Sequence, residues 1–188
     1  AALQSSITRD DPAMLRDAAA AAARGAVAAG RDPTQVLQLV AIGRAALGRT
    51  ADDDAAATLD LAEAAAQIAA GQADAASIAL GAALERRIAA RGESDLRVAD
   101  ILVALGEASI SARRLDDALT HQRRALAIRE DLLGATHPRV AESCAAVAEV
   151  LVAHGRADEA RPLAERALSI QERAFGAQDP HVADALSH

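Results

Sequence analysis

Apolar residues along this chain recur at intervals of three to four, as in Ala118, Ala125, Leu126 and Ile128, and polar residues fill the spaces between them. That spacing puts the apolar set on one stripe of an α-helix. No run alternates with period two, so strands are not expected. The breaks are evenly phased. Gly92, Gly134 and Gly176 suit the ends of helices, and Pro138 and Pro180 suit the first turn of the helices that follow. Aspartates at 32, 74, 116 and 158 stand where helices should begin, positioned to cap free N–H groups and to face the positive end of the helix dipole. The pattern predicts helices over 12–29 and 33–47, 53–70 and 74–90, 97–112 and 116–132, 138–154 and 158–174, then 180–187.

The phasing is a repeat of 42 residues. The stretch from Val98 to Val140 lies without a gap over the stretch from Val140 to Val182, matching Arg114 with Arg156, Arg124 with Arg166, Ile128 with Ile170 and Glu130 with Glu172. The same step carries the aspartate ladder through the chain, and with it the small-residue ladders Ala22, Ala64, Gly106, Ala148 and Ala41, Ala83, Ala125, Ala167. Each period reads as a helical hairpin too thin to bury its apolar face alone, so stability should come from stacking on neighbours. The expected organisation is a lead-in over 1–11, a degenerate first repeat over 12–52, and repeats over 53–94, 95–136 and 137–178. Residues 179–188 would begin a fifth repeat or form a capping helix. The first repeat, with Thr34 in the place of Ala76 and glycines at 43 and 48, is expected to be a frayed or capping end.

Composition gives the ladders a physical role. More than a quarter of the 188 residues are alanine, while tryptophan and tyrosine are absent, so a core of large side chains is ruled out. Alanine favours helix and lets two helices approach toward the short end of the usual 8–10 Å separation. Ala64, Gly106 and Ala148 are expected to do so, facing Ala76, Ala118 and Ala160. The formal net charge of −7 argues against nonspecific nucleic-acid binding, which needs cations to neutralise phosphates. A membrane span is not expected, because the longest apolar tract, Ala18 to Ala29, is interrupted by Arg24. The cytoplasm is the expected compartment. Cys144 is the single cysteine, which excludes an internal disulfide and suits a small core residue. The chain contains neither lysine nor asparagine, as a GC-rich bacterial genome would produce.

Catalysis finds no support. The histidines at 121, 137, 154, 181 and 188 include no pair at the helical spacing of two metal ligands. His137 belongs to a turn, and His121, four residues after Asp117, suits a surface ion pair or hydrogen bond. Phosphate-loop and nucleophile-elbow motifs are absent. No catalytic residue, metal or cofactor is therefore expected.

The run GRADEARPLAERALSIQERAFGAQDPHV, with Gly155, Pro162, Leu163, Glu165, Arg166, Ala167, Leu168, Gly176, Asp179 and Pro180, resembles the long tetratricopeptide repeat of kinesin-light-chain type; His137 and Pro138 fit the same pattern. The resemblance implies an all-α, right-handed superhelical solenoid of antiparallel helix pairs, whose first helices line a concave groove that binds a peptide or partner protein. It also exposes departures. Where the family carries groove-facing asparagines, this chain has Ala145 and Ala146, and Val103 and Ala104 one repeat earlier; Leu151, Ala157 and Ala164 replace family tyrosines. A carboxylate clamp of lysine and asparagine cannot be built here.

With the first helices as the lining, the inward positions are Asp100, Val103, Glu107 and Ile110, then Glu142, Ala145, Glu149 and Val152, with Thr58, Leu61, Ala65 and Ile68 in the second repeat and Asp184 beyond. The partner-binding residues expected are thus Asp100, Val103, Glu107, Ile110, Glu142, Glu149, Val152, Leu61 and Ile68. Arginine is expected in the turns and second helices, as Arg123, Arg124, Arg129, Arg161, Arg166 and Arg173, so charge is segregated by helix. An acidic-edged, apolar-floored groove would take a basic or amphipathic helical segment. Two other readings stand beside this scaffold: a sensor or regulatory module of a larger multidomain protein, and self-association through an apolar C-terminal edge of Val182, Ala185 and Leu186.

Overall fold

A computed structural model of the chain describes residues 12–47 and 53–175. The expectations for 1–11, for the helix over 180–187, for Gly48, Gly176 and Asp184, and for the C-terminal edge lie outside the described residues. Within them are eight helices and no strand: α1 Pro12–Ala28, α2 Pro33–Leu47, α3 Asp53–Ala69, α4 Ala73–Arg91, α5 Leu96–Ser111, α6 Leu115–Leu133, α7 Pro138–Ala153 and α8 Ala157–Phe175. Every end falls within one residue of the sequence-based span.

The hairpin turns explain that agreement, because each is closed by local chemistry. After α7, the Arg156 N–H donates to the Leu151 carbonyl (2.8 Å) and the Gly155 N–H to Val152 (2.9 Å), with Gly155 at φ 77°. This is a Schellman ending, which satisfies carbonyls that a helix end leaves open. The same pair of bonds follows α1, α3 and α5. After α5, however, the left-handed position is filled by Arg113 at φ 62°, a conformation that costs a side-chain-bearing residue about 1–2 kcal/mol.

The aspartate ladder divides into two roles. At α2, Asp32 precedes the helix and its Oδ1 accepts from the Thr34 N–H (2.9 Å), a true cap. In α4, α6 and α8 the helix starts one residue before Asp74, Asp116 and Asp158, leaving them inside the first turn as charges on the helix dipole. Pro33 is the cause, since a residue before proline is pushed out of helical backbone. α2 therefore starts two residues later against the ladder, and it buries Val36, Val40 and Gly43 where α4 buries Ala76, Leu80 and Ala83. This corrects the expected small-residue ladders in the first hairpin: Ala41 is exposed and Ala22 only half-buried. Gly43 is no break either. A Cβ there would lie 2.7 Å from Leu59 Cδ2, so α2 needs glycine to pack.

The chain forms two compact units, residues 1–83 and 84–188, with the division inside α4. In the first unit α1, α2 and α3 close on Ala20, Ala23, Val36, Val40, Leu59 and Ala62. In the second, α6, α7 and α8 bury Ala118, Val140, Ala148, Leu151, Ala160 and Ala167 together with Cys144, whose thiol is pushed up from its ordinary pKa by burial. Alanine at the helix crossings keeps these layers thin.

Candidate binding site on α5 and α7

The site lies wholly within the second unit, and its position is set by how α5 and α7 begin. Asp95 caps α5, accepting from the Arg97 N–H (2.8 Å), and Arg87 grips its two carboxylate oxygens from α4 at 3.0 and 3.1 Å. Burial pushes the Asp95 carboxyl up, but the Arg87 hydrogen bond and the backbone donors outweigh it and hold the group below the usual range. At the matching place in the next repeat His137 caps α7, its Nδ1 accepting from the Arg139 N–H at 3.1 Å. His137 thus has the turn role its sequence context indicates.

Residues 103, 107 and 110 share one face of α5. Val103, Glu107 and Ile110 meet Ala146 and Glu149 of α7 around a pocket of ≈ 390 Å³, with Ser111 at the rim. Four of the expected site residues are thereby brought together. Ala146, not Ala145, completes the wall.

The pocket also has a member that the periodic pattern did not single out. Gln122 of α6 is 1% exposed and forms part of the lining. Its Nε2 donates to the Val103 carbonyl (3.3 Å), while its Oε1, also buried, has no hydrogen-bond partner. Gly106 makes the room: a Cβ there would fall 2.5 Å from Gln122 Nε2. The signal was in the register, since Gln122 stands between Leu80 and Ala164 in its ladder and is matched by the one glycine among Ala64, Gly106 and Ala148.

Charge in the pocket is one-sided. Among the described residues no cation pairs with Glu107 or Glu149. Partial desolvation against the pocket walls, and then the charge of Glu149, raise the Glu107 carboxyl above its ordinary pKa, although both glutamates remain exposed at the pocket mouth.

The remaining expected site residues do other things. Asp100, 16% exposed, accepts from Arg129 (3.1 Å) and Arg139 and lies 3.7 Å from Arg97. Arg129, 7% exposed, also donates to the Arg139 carbonyl (3.1 Å) and to Ser143 Oγ (2.8 Å), and Glu142 stands 3.7 Å away. Asp100 is therefore a tie between α5, α6 and α7. The expected segregation of charge by helix fails here, because α5 starts at Leu96 and α7 at Pro138, which puts Arg97 and Arg139 inside their first turns. Val152 is 55% exposed. Leu61 and Ile68 are half-buried on α3, in the other compact unit.

The described histidines at 121 and 154 each lie beside an aspartate. His154 Nε2 lies 3.0 Å from Asp116 Oδ1 at the surface, and burial followed by Arg124 lowers the pKa of His121 against the pull of Asp117. Among the described residues no three His, Cys, Asp or Glu side chains gather as a metal site, and no helix is long and apolar enough to cross a membrane.

Residues 97–173 match a tetratricopeptide repeat family model. Solved structures with the same fold include a putative kinesin light chain of Podosopora anserina with nearly identical TPR-like repeats and a point variant of that same protein. Each is 20% identical, with 94% of this chain and 83% of that chain covered and a TM-score of 0.74. BtubC (BKLC) from P. vanneervenii aligns over the same shares at 20% identity and a TM-score of 0.66. No curated protein matches in sequence. Residues 97–173 are thus matched to the tetratricopeptide repeat, and the chain as a whole shares the all-α fold of these kinesin-light-chain-like structures. Such repeats generally mediate contacts between proteins and do no chemistry of their own.

Proposed function

We propose that this chain is a non-catalytic scaffold that binds a partner protein or peptide on the face formed by α5 and α7, and that the bound element is a basic or amphipathic helical segment. The observation that carries this reading is the pairing, in one pocket, of apolar Val103 and Ile110 with Glu107 and Glu149, two carboxylates without a counter-ion among the described residues. An amphipathic helix lays its apolar face into such a site, and cations on its flank are steered by the acidic edge. Exposed Val152, three residues past Glu149 on α7, extends the apolar surface. Asp100 stays outside the recognition set because Arg129 and Arg139 already occupy it.

The test is a pull-down from the native host with wild type and with Glu107→Gln/Glu149→Gln, followed by direct titration of the captured protein. The variant should bind more weakly and with a flatter dependence on salt. Equal affinity of the two forms at low salt would remove this reading.

A further inference from the structure

We propose that the pocket between α5 and α7 is a socket for a single cationic side chain, an arginine or lysine presented by a partner polypeptide. This rests on the scaffold reading above and adds to it the chemistry of the contact.

The first argument is the inventory of polar groups. The carboxylates of Glu107 and Glu149 only accept hydrogen bonds when ionised. The amide of Gln122 donates one N–H to the Val103 carbonyl, and its Oε1 is a third acceptor, without a partner. A site walled by acceptors is complementary to a group that only donates, and among side chains the ammonium and the guanidinium fit that description. An anionic ligand would meet two like charges.

The second argument is the cost of the arrangement. A buried polar atom left unpaired costs about 1–3 kcal/mol, and the preceding repeat avoids this by carrying Leu80 at the matching place. Here Gln122 is retained, and α5 gives up a Cβ at Gly106 to admit it. The carboxylates show the same imbalance. The acids that lie at helix contacts in this unit are matched within the chain, Asp100 by Arg129 and Arg139, Glu130 by Arg166, Asp95 by Arg87. At the pocket no arginine among the described residues answers Glu107 or Glu149, and their mutual repulsion is relieved when an outside cation enters.

The third argument is shape. Val103 and Ile110 supply an apolar wall for the methylene stem that arginine and lysine carry behind their charged heads. A bare divalent cation is served less well, since calcium takes 6–8 oxygens and no third His, Cys, Asp or Glu joins the pair among the described residues.

The test uses the isotope-labelled full chain and three small probes: N-acetyl-arginine methylamide, N-acetyl-lysine methylamide and the neutral isostere N-acetyl-citrulline methylamide. The Gln122 side-chain amide and the Glu107 and Glu149 carboxyl carbons are followed by NMR at low salt. Both cations should shift these signals saturably, with millimolar affinity of the kind expected for one side chain, and citrulline should bind at least about tenfold more weakly. Glu149→Gln should weaken both cations by a similar factor while leaving the melting temperature close to wild type. Gln122→Leu, which installs the residue of the preceding repeat, should weaken them further where it folds. Citrulline binding as tightly as arginine, cation affinity unchanged in Glu149→Gln, or no shift up to about 100 mM of either cation would each overturn the socket. These outcomes are independent of the pull-down. A partner captured by wild type and lost in the double variant keeps the scaffold even where the free probes fail.

Discussion

The α5–α6 and α7–α8 hairpins share a 42-residue register and the same Schellman turn, and among the matched positions at which they differ, four set them apart: Gly106 against Ala148, Gln122 against Ala164, Arg113 against Gly155, and Arg129 against Gln171. In the α7–α8 hairpin the first three choices are the ones helix chemistry favours. In α5–α6 each is the costlier one: a glycine inside a helix, a buried amide and a left-handed arginine. The fourth difference shows what is gained, because Arg129 joins α6 to Asp100 on α5 and to Ser143 and the Arg139 carbonyl on α7. One repeat is built for regular stacking, and the other holds polar groups against its neighbour. The pocket belongs to the second kind.

Making the irregular hairpin resemble the regular one tests this contrast. Arg129→Gln copies the residue at position 171 and removes a nearly buried cation, which should lower unfolding stability by about 3 kcal/mol. The midpoint of urea unfolding reads this; an unchanged midpoint would mean that Arg97 and Arg139 satisfy Asp100 unaided. Gly106→Ala should cost about 1 kcal/mol, with a packing penalty of ~1–3 kcal/mol partly offset by the helix preference of alanine. Adding Gln122→Ala, which reproduces the pair at 148 and 164, should return most of that loss. A double variant no more stable than the single one would show that Gly106 is not there for Gln122.

Arg113→Gly should raise stability by about 1 kcal/mol by removing the side chain's clash at positive φ, read as a higher melting temperature. Glu107→Gln should have the smallest effect, and one that depends on pH. The folded protein keeps a proton on Glu107 that the unfolded chain has already released, because burial and Glu149 raise its pKa. Stability thus declines as pH rises from the ordinary glutamate range through the raised value, and it stays lower above it. Glu107→Gln should match wild type below that window and exceed it above, in melting temperatures taken across pH. A difference that does not vary with pH would break the assignment.

Much of the fold was legible because its determinants are local. Capping residues, Schellman turns and the three-to-four spacing act within a few residues of each other, and helix ends could be placed to within one residue from them. In the first hairpin the ends were placed as well, but the inward positions were not, since α2 starts two residues later against the ladder and buries Val36, Val40 and Gly43. At the site, Val103, Glu107, Ile110 and Glu149 followed from helical periodicity, and the structure brings them together. The ties of Asp100 were not legible, because its guanidinium partners come from 29 and 39 residues further along the chain.

Sequence alone determined the all-helical hairpins, the 42-residue register and the type of repeat, since each depends on short-range backbone chemistry repeated in step. Tertiary structure alone decided which charges remain available. An acid on the inner face of a helix looks the same in the sequence whether or not an arginine from another helix reaches it, and pairing depends on side-chain distances across helices. That difference separates Asp100, held by Arg129 and Arg139, from Glu107, which faces Glu149 and the unpaired oxygen of Gln122.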